Sequence, residues 1–134
     1  MRRAVPLAFL LVAAAGASLT TAAVRPTGFA FGRIGGNIRP YTVTIANSGV
    51  VHTSGAVTVR RKLLTSVQLA TLNRIATETN FIVLPKATNC RGTLPVVAST
   101  YVRVGPSTVR VHGACVPRYQ RLFKALEASV RIVP

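Results

Sequence analysis

The chain has 134 residues, 17 of them Lys or Arg against two acids, Glu78 and Glu127, for a formal net charge of +15. That length allows one domain. With no Asp, two Glu, two His and two Cys, paired-carboxylate catalysis, a clustered metal site and a carboxylate-oriented triad are all poorly supplied, so neither an enzyme nor a metal or other cofactor is expected.

Residues 1–23 read as a signal peptide. Arg2 and Arg3 form a positive start, and Leu7 to Ala17 is an apolar run shorter than the ~20 residues a bilayer span needs. Small residues follow, and Thr21-Ala22-Ala23 fits a cleavage site, with Ala15-Gly16-Ala17 as an alternative. Removing Arg2 and Arg3 would take the net charge from +15 to +13. Export would place the protein outside the cell or in its envelope, with no stable membrane span after cleavage. It would also make a Cys90–Cys115 disulfide the expected pairing.

Residues 24–40 contain Gly28, Gly32, Gly35, Gly36 and Pro26, and read as an extended or looped lead-in whose Phe29 and Phe31 tuck onto the domain. Within it, Gly32-Arg33-Ile34-Gly35-Gly36 has a phosphate-loop composition in the wrong context, because it precedes a strand rather than following one. The single domain is expected over 41–134. Tyr41 to Ile45 alternates apolar and hydroxyl residues, as a half-buried strand does. Asn47-Ser48-Gly49 turns the chain, and strand continues over Val50 to Ser54 and Val57 to Arg60 with a break at Gly55.

Thr65-Ser66-Val67-Gln68 is a capping box, flanked by Leu64 and Leu69 as a hydrophobic staple. Leu69, Leu72, Ile75 and Ala76 then recur on one helical face, and the helix is expected to end near Thr79 or Asn80. Phe81 to Leu84 reads as a buried strand or packed exit, and Pro85 to Val97 as a loop carrying Cys90. Ser99 to Val104 and Thr108 to His112 alternate around Gly105-Pro106-Ser107, as a hairpin does. Pro117 suits a first helical position. Tyr119, Leu122, Phe123, Leu126 and Val130 form an apolar stripe, with Arg118, Arg121 and Lys124 away from it and Glu127 set to pair with Arg131. The implied fold is α+β: an antiparallel sheet of four to five strands in the order β-β-(β)-α-β-β-α, with both helices on one face and one disulfide.

Arg39-Pro40 leading into Tyr41-Thr42-Val43-Thr44-Ile45, the Gly49-Val50 turn, the capped helix ending at Phe81 and the hairpin before a closing helix resemble a family of small bacterial exported α+β domains. The resemblance implies the fold and carries no activity. Where that family often has Cys-x-x-x-Cys-Pro ahead of the strand, this chain has Gly35-Gly36-Asn37-Ile38-Arg39-Pro40.

Two basic surfaces are candidate anion sites. One is Arg60-Arg61-Lys62. The other is the outward side of the hairpin, where alternation puts Tyr101, Arg103, Arg110 and His112 opposite Val102, Val104, Val109 and Val111. The leading expectation is a non-catalytic binding module for anionic envelope polymers or an acidic protein. The alternatives are an inhibitor-like protein presenting the pinned loop Thr88 to Pro95, and a hydrolase with a site near His112. Nucleic acid fits the charge, but no motif points to it.

Overall fold

The computed structural model describes residues 28–133; the signal peptide read over 1–23 lies outside them. The elements are β1 (Phe29–Ile34), β2 (Tyr41–Ile45), β3 (Val51–Gly55), α1 (Ser66–Glu78), β4 (Ala87–Asn89), β5 (Ser99–Val104), β6 (Ser107–His112) and α2 (Pro117–Val130), with a 3-10 turn at Phe81–Val83. The strands form one six-stranded sheet in the order β3-β2-β1-β5-β6-β4. The α+β class, the two helices and the Cys90–Cys115 disulfide agree with the sequence reading.

The sheet is larger than expected, and mixed rather than antiparallel. The stretch read as lead-in supplies β1, which lies between β2 and β5 near the middle of the sheet. Phe29 and Phe31 are fully buried on the helix side, and Ala30 and Gly32 are buried on the other. The glycine content that reads as loop therefore belongs to a central strand. A Cβ at Gly32 would strike the Tyr41 backbone carbonyl, and would also meet the Tyr101 hydroxyl at 2.9 Å and its ring at 3.0 Å. Tyr101 thus lies across the bare backbone of its cross-strand neighbour, covering a glycine that would otherwise weaken the strand.

The second addition is β4, three residues of the expected loop paired in parallel with β6. The strand expected over Val57 to Arg60 reduces to a single bridge between Val59 and Ile132, and Phe81–Leu84 is a packed exit rather than a strand.

Side chains from one sheet face and both helices share one core. Phe31 meets Phe123 edge-on at 5.8 Å between ring centroids, and Tyr119 stacks on Phe123 at 6.1 Å. All five residues of the apolar stripe on α2 are buried. The capping box of α1 forms as read: the Gln68 amide donates to Thr65 Oγ1 at 3.2 Å, and the Thr65 amide donates to Gln68 Oε1 at 2.8 Å. The disulfide joins residues 25 apart with Cα atoms 5.6 Å apart, which in the chain-entropy view stabilises the fold by about 3 kcal/mol. No helix among the described residues is long and apolar enough to cross a membrane.

Candidate anion-binding face

With both helices on one side, the other side of the sheet is uncovered. Strand register lays out its residues. Thr42 and Thr44 flank Gly32 and Ala30 on one side, and Tyr101 and Arg103 flank them on the other. Beyond these come Arg110, opposite Tyr101, and Thr108, opposite Arg103. His52 and Ser54 stand on the β3 edge, Ala87 and Asn89 on the β4 edge. The hairpin residues Tyr101, Arg103, Arg110 and His112 therefore share one face, as alternation requires.

The four differ in what they are free to do. Arg103 and Arg110 are exposed and stand diagonally across the hairpin, about 7 Å apart at their Cα atoms. Arg110 has one terminal nitrogen 3.5 Å from Ser99 Oγ and no acid beside it. Tyr101 is half-buried, its hydroxyl hydrogen-bonded to that of Thr42. It acts as the cover of Gly32 rather than as an open stacking surface.

His112 is tied on both sides. Nε2 lies 2.9 Å from the Val97 carbonyl and Nδ1 lies 2.9 Å from Asn89 Oδ1. A carbonyl only accepts, so Nε2 must carry a proton and donate it. The ring pins β4 and the segment at Val97 to β6, and both nitrogens are already engaged.

Arg60-Arg61-Lys62 does not join this face. The Arg60 amide donates to the Arg131 carbonyl at 2.9 Å and the Arg61 amide to Val130 at 3.0 Å. The Arg61 guanidinium donates to the Ser129 carbonyl at 3.1 Å. Arg61 thus closes the C-terminus of α2, where unpaired carbonyls and the helix dipole favour a cation. Arg60 and Lys62 remain exposed.

Both acids are on the helical side. Glu78 is exposed and pairs with Arg121 at 2.6 Å and with Arg74 at 3.7 Å. Glu127, read as a solvated partner of Arg131, instead turns toward Arg33, 4.0 Å away, while Arg131 caps α2 in the left-handed region. Burial pushes the Glu127 carboxyl above its ordinary value, outweighing the lowering by Arg33 and Lys124. Arg33 Nε is buried without a partner, and burial also raises the neighbouring Tyr41 hydroxyl, against the pull of Arg33. Periodicity does not show this cluster, because Arg33 stands in a glycine-rich stretch without alternation.

At one end the face becomes a groove of about 560 Å³. The β1–β2 turn at Gly35 and Gly36 forms one wall and Pro95 and Val97 another, with Ile34, Asn89, Ser99, Arg110 and His112 among the remaining lining. Below it, the pinned loop 88–95 is held by the disulfide and by the Cys90 amide donating to the His112 carbonyl at 2.8 Å. Among the described residues no group of three or more His, Cys, Asp or Glu could hold a metal ion. Comparison with protein-family models, with curated proteins and with solved structures finds no match.

Proposed function

We propose that the chain is an exported, non-catalytic binding domain that holds anionic envelope polymers on the uncovered face of its sheet. One observation carries this reading. The face without helices presents Arg103, Arg110 and a spread of hydroxyl groups, while both acids lie on the opposite side. Exposed guanidinium groups with no acid nearby attract carboxylate or phosphate and can bond them in pairs. Thr44 of β2 and Thr108 of β6 add neutral hydroxyls that can bond sugar hydroxyls. Export rests on the leader sequence, with which the disulfide is compatible.

The test is binding to polygalacturonate across a salt series. Arg103→Glu with Arg110→Glu should weaken binding at low salt by at least about tenfold and flatten its salt dependence. Arg118→Glu with Lys124→Glu makes the same charge change on the exposed side of α2 and should have a much smaller effect. Equal losses from the two pairs would mean that only bulk charge matters, and the reading would fail.

A second reading, a protein partner for the pinned loop, is favoured by Ile38, Leu94, Val96 and Val97, which are exposed around it. Leu94→Ser with Val96→Ser would abolish capture of such a partner and leave polygalacturonate binding unchanged.

A further inference from the structure

The groove at the end of the face differs from the open sheet beside it. Its walls are braced against each other. Gly36 has φ +62°, and a Cβ there would stand 2.7 Å from the Ala98 amide nitrogen. The Asn37 amide donates to the Val96 carbonyl at 3.0 Å. The far wall is fixed by His112, bonded on one side to Asn89 and on the other to Val97. None of these contacts needs a ligand to hold it in place, so the concavity is preformed.

The lining is mixed in a specific way. Arg110 brings the one charged group, and no carboxylate borders the groove. One end of the Asn89 side-chain amide is engaged by His112, and its other end remains for a ligand. Ile34, Pro95 and Val97 supply apolar wall. A guanidinium, a side-chain amide and flat apolar surface suit a ring with one anionic group, several hydroxyls and an apolar C–H face. The volume, about 560 Å³, is within the range of small-molecule sites, roughly 300–1,000 Å³.

We propose that this groove is a subsite for a single anionic sugar unit, with Arg110 bonding its carboxylate or phosphate. The proposal rests on the polymer-binding reading and names the unit which that face recognises. Arg103 lies outside the groove toward the hairpin turn. It is four residues along β5 from Ser99, about 13 Å at strand spacing. The two arginines therefore separate polymer capture from recognition of the unit.

The experiment is a titration of the intact protein with D-galacturonate, galactose 6-phosphate and D-galactose, followed by amide NMR. The amides of Gly35, Gly36, Asn89 and Ser99 should shift with one or both charged sugars and not with galactose. Whichever charged sugar shifts them identifies the source of the anion. Arg110→Gln should weaken that response by about tenfold or more, and Arg103→Gln should leave it within about twofold while weakening polygalacturonate binding. An unchanged spectrum away from the groove shows that each variant is folded. If polygalacturonate binds but neither charged sugar shifts the groove amides, or if galactose shifts them equally, the subsite is refuted and the face reading stands. If the polymer does not bind either, both are refuted.

Discussion

Gly113 follows β6 with φ +108°, beside the disulfide. A Cβ there would lie 2.6 Å from Cys90 Cβ and 3.1 Å from Cys90 Sγ, and would also strike the Thr93 hydroxyl. The hydroxyl can rotate away. Cys90 cannot, because it is bonded to Cys115 and its amide is held by the His112 carbonyl. Gly113→Ala therefore incurs two costs: about 1–3 kcal/mol for a side chain in this backbone region, and about 1–3 kcal/mol for overpacking against an immobile neighbour. We expect a total of about 3 kcal/mol, a large part of the ~5–15 kcal/mol that holds such a domain. In urea, with a slope of about 1–1.5 kcal/mol per molar, the midpoint should fall by about 2 M. Repeating the substitution with Cys90→Gly and Cys115→Ala removes the tether and both Cys90 atoms that the new methyl meets. The steric part should then relax, leaving about 1–2 kcal/mol from the backbone. A midpoint shift below about 0.5 M in the disulfide-bonded protein, or an equal cost with and without the disulfide, would refute the claim that the tether makes this approach rigid.

Two further outcomes test the helical side. Glu127 has a raised folded pKa, so the folded state holds this proton more tightly than the unfolded chain. Its stabilising effect is complete below the ordinary carboxylate value and is lost as pH rises through the raised value. Denaturant midpoints measured across that window should fall with rising pH, and Glu127→Gln should remove the fall; a fall that persists in Glu127→Gln would refute the assignment. Arg61→Ala should cost about 0.5–1 kcal/mol by loss of its bond to the α2 C-terminus, read from the urea midpoint. It should leave polygalacturonate binding within about twofold, since the guanidinium already serves Ser129.

Features set by local chemistry were legible in the sequence. The capping box places the start of α1 from four residues, and the stripe from Tyr119 to Val130 identifies the buried side of α2. Alternation alone puts Tyr101, Arg103, Arg110 and His112 on one side. What escaped depends on distant partners. Nothing local marks Phe29–Ile34 as a strand, because Gly32 answers to the close Tyr41 backbone carbonyl and to the cover of Tyr101, sixty-nine residues along the chain. The strand β4 has no apolar alternation and exists through its parallel pairing with β6. The division of labour among the basic residues was equally hidden. Arg61 looks like Arg60 in the sequence, yet one closes a helix and the other faces solvent.

The placement of the two acids bears on whether the charge has a task. A chain this cationic repels itself when compact, and repulsion between exposed groups fades over about 10 Å at 0.1 M salt. Each acid therefore relieves only its own neighbourhood. Glu78 stands between Arg74 of α1 and Arg121 of α2, so it lowers repulsion where the two helices meet. Glu127 extends from α2 toward Arg33 of β1 and offsets its charge where helix meets sheet, although burial of the carboxyl outweighs that attraction. Both sites are contacts that folding brings together. The sheet face has no such relief, although a carboxylate at Thr108, directly across from Arg103, would add a favourable cross-strand pair. Positive charge is thus offset where it would oppose the fold and left unopposed on the one sheet face that no helix covers, which is the arrangement a polyanion-binding surface requires.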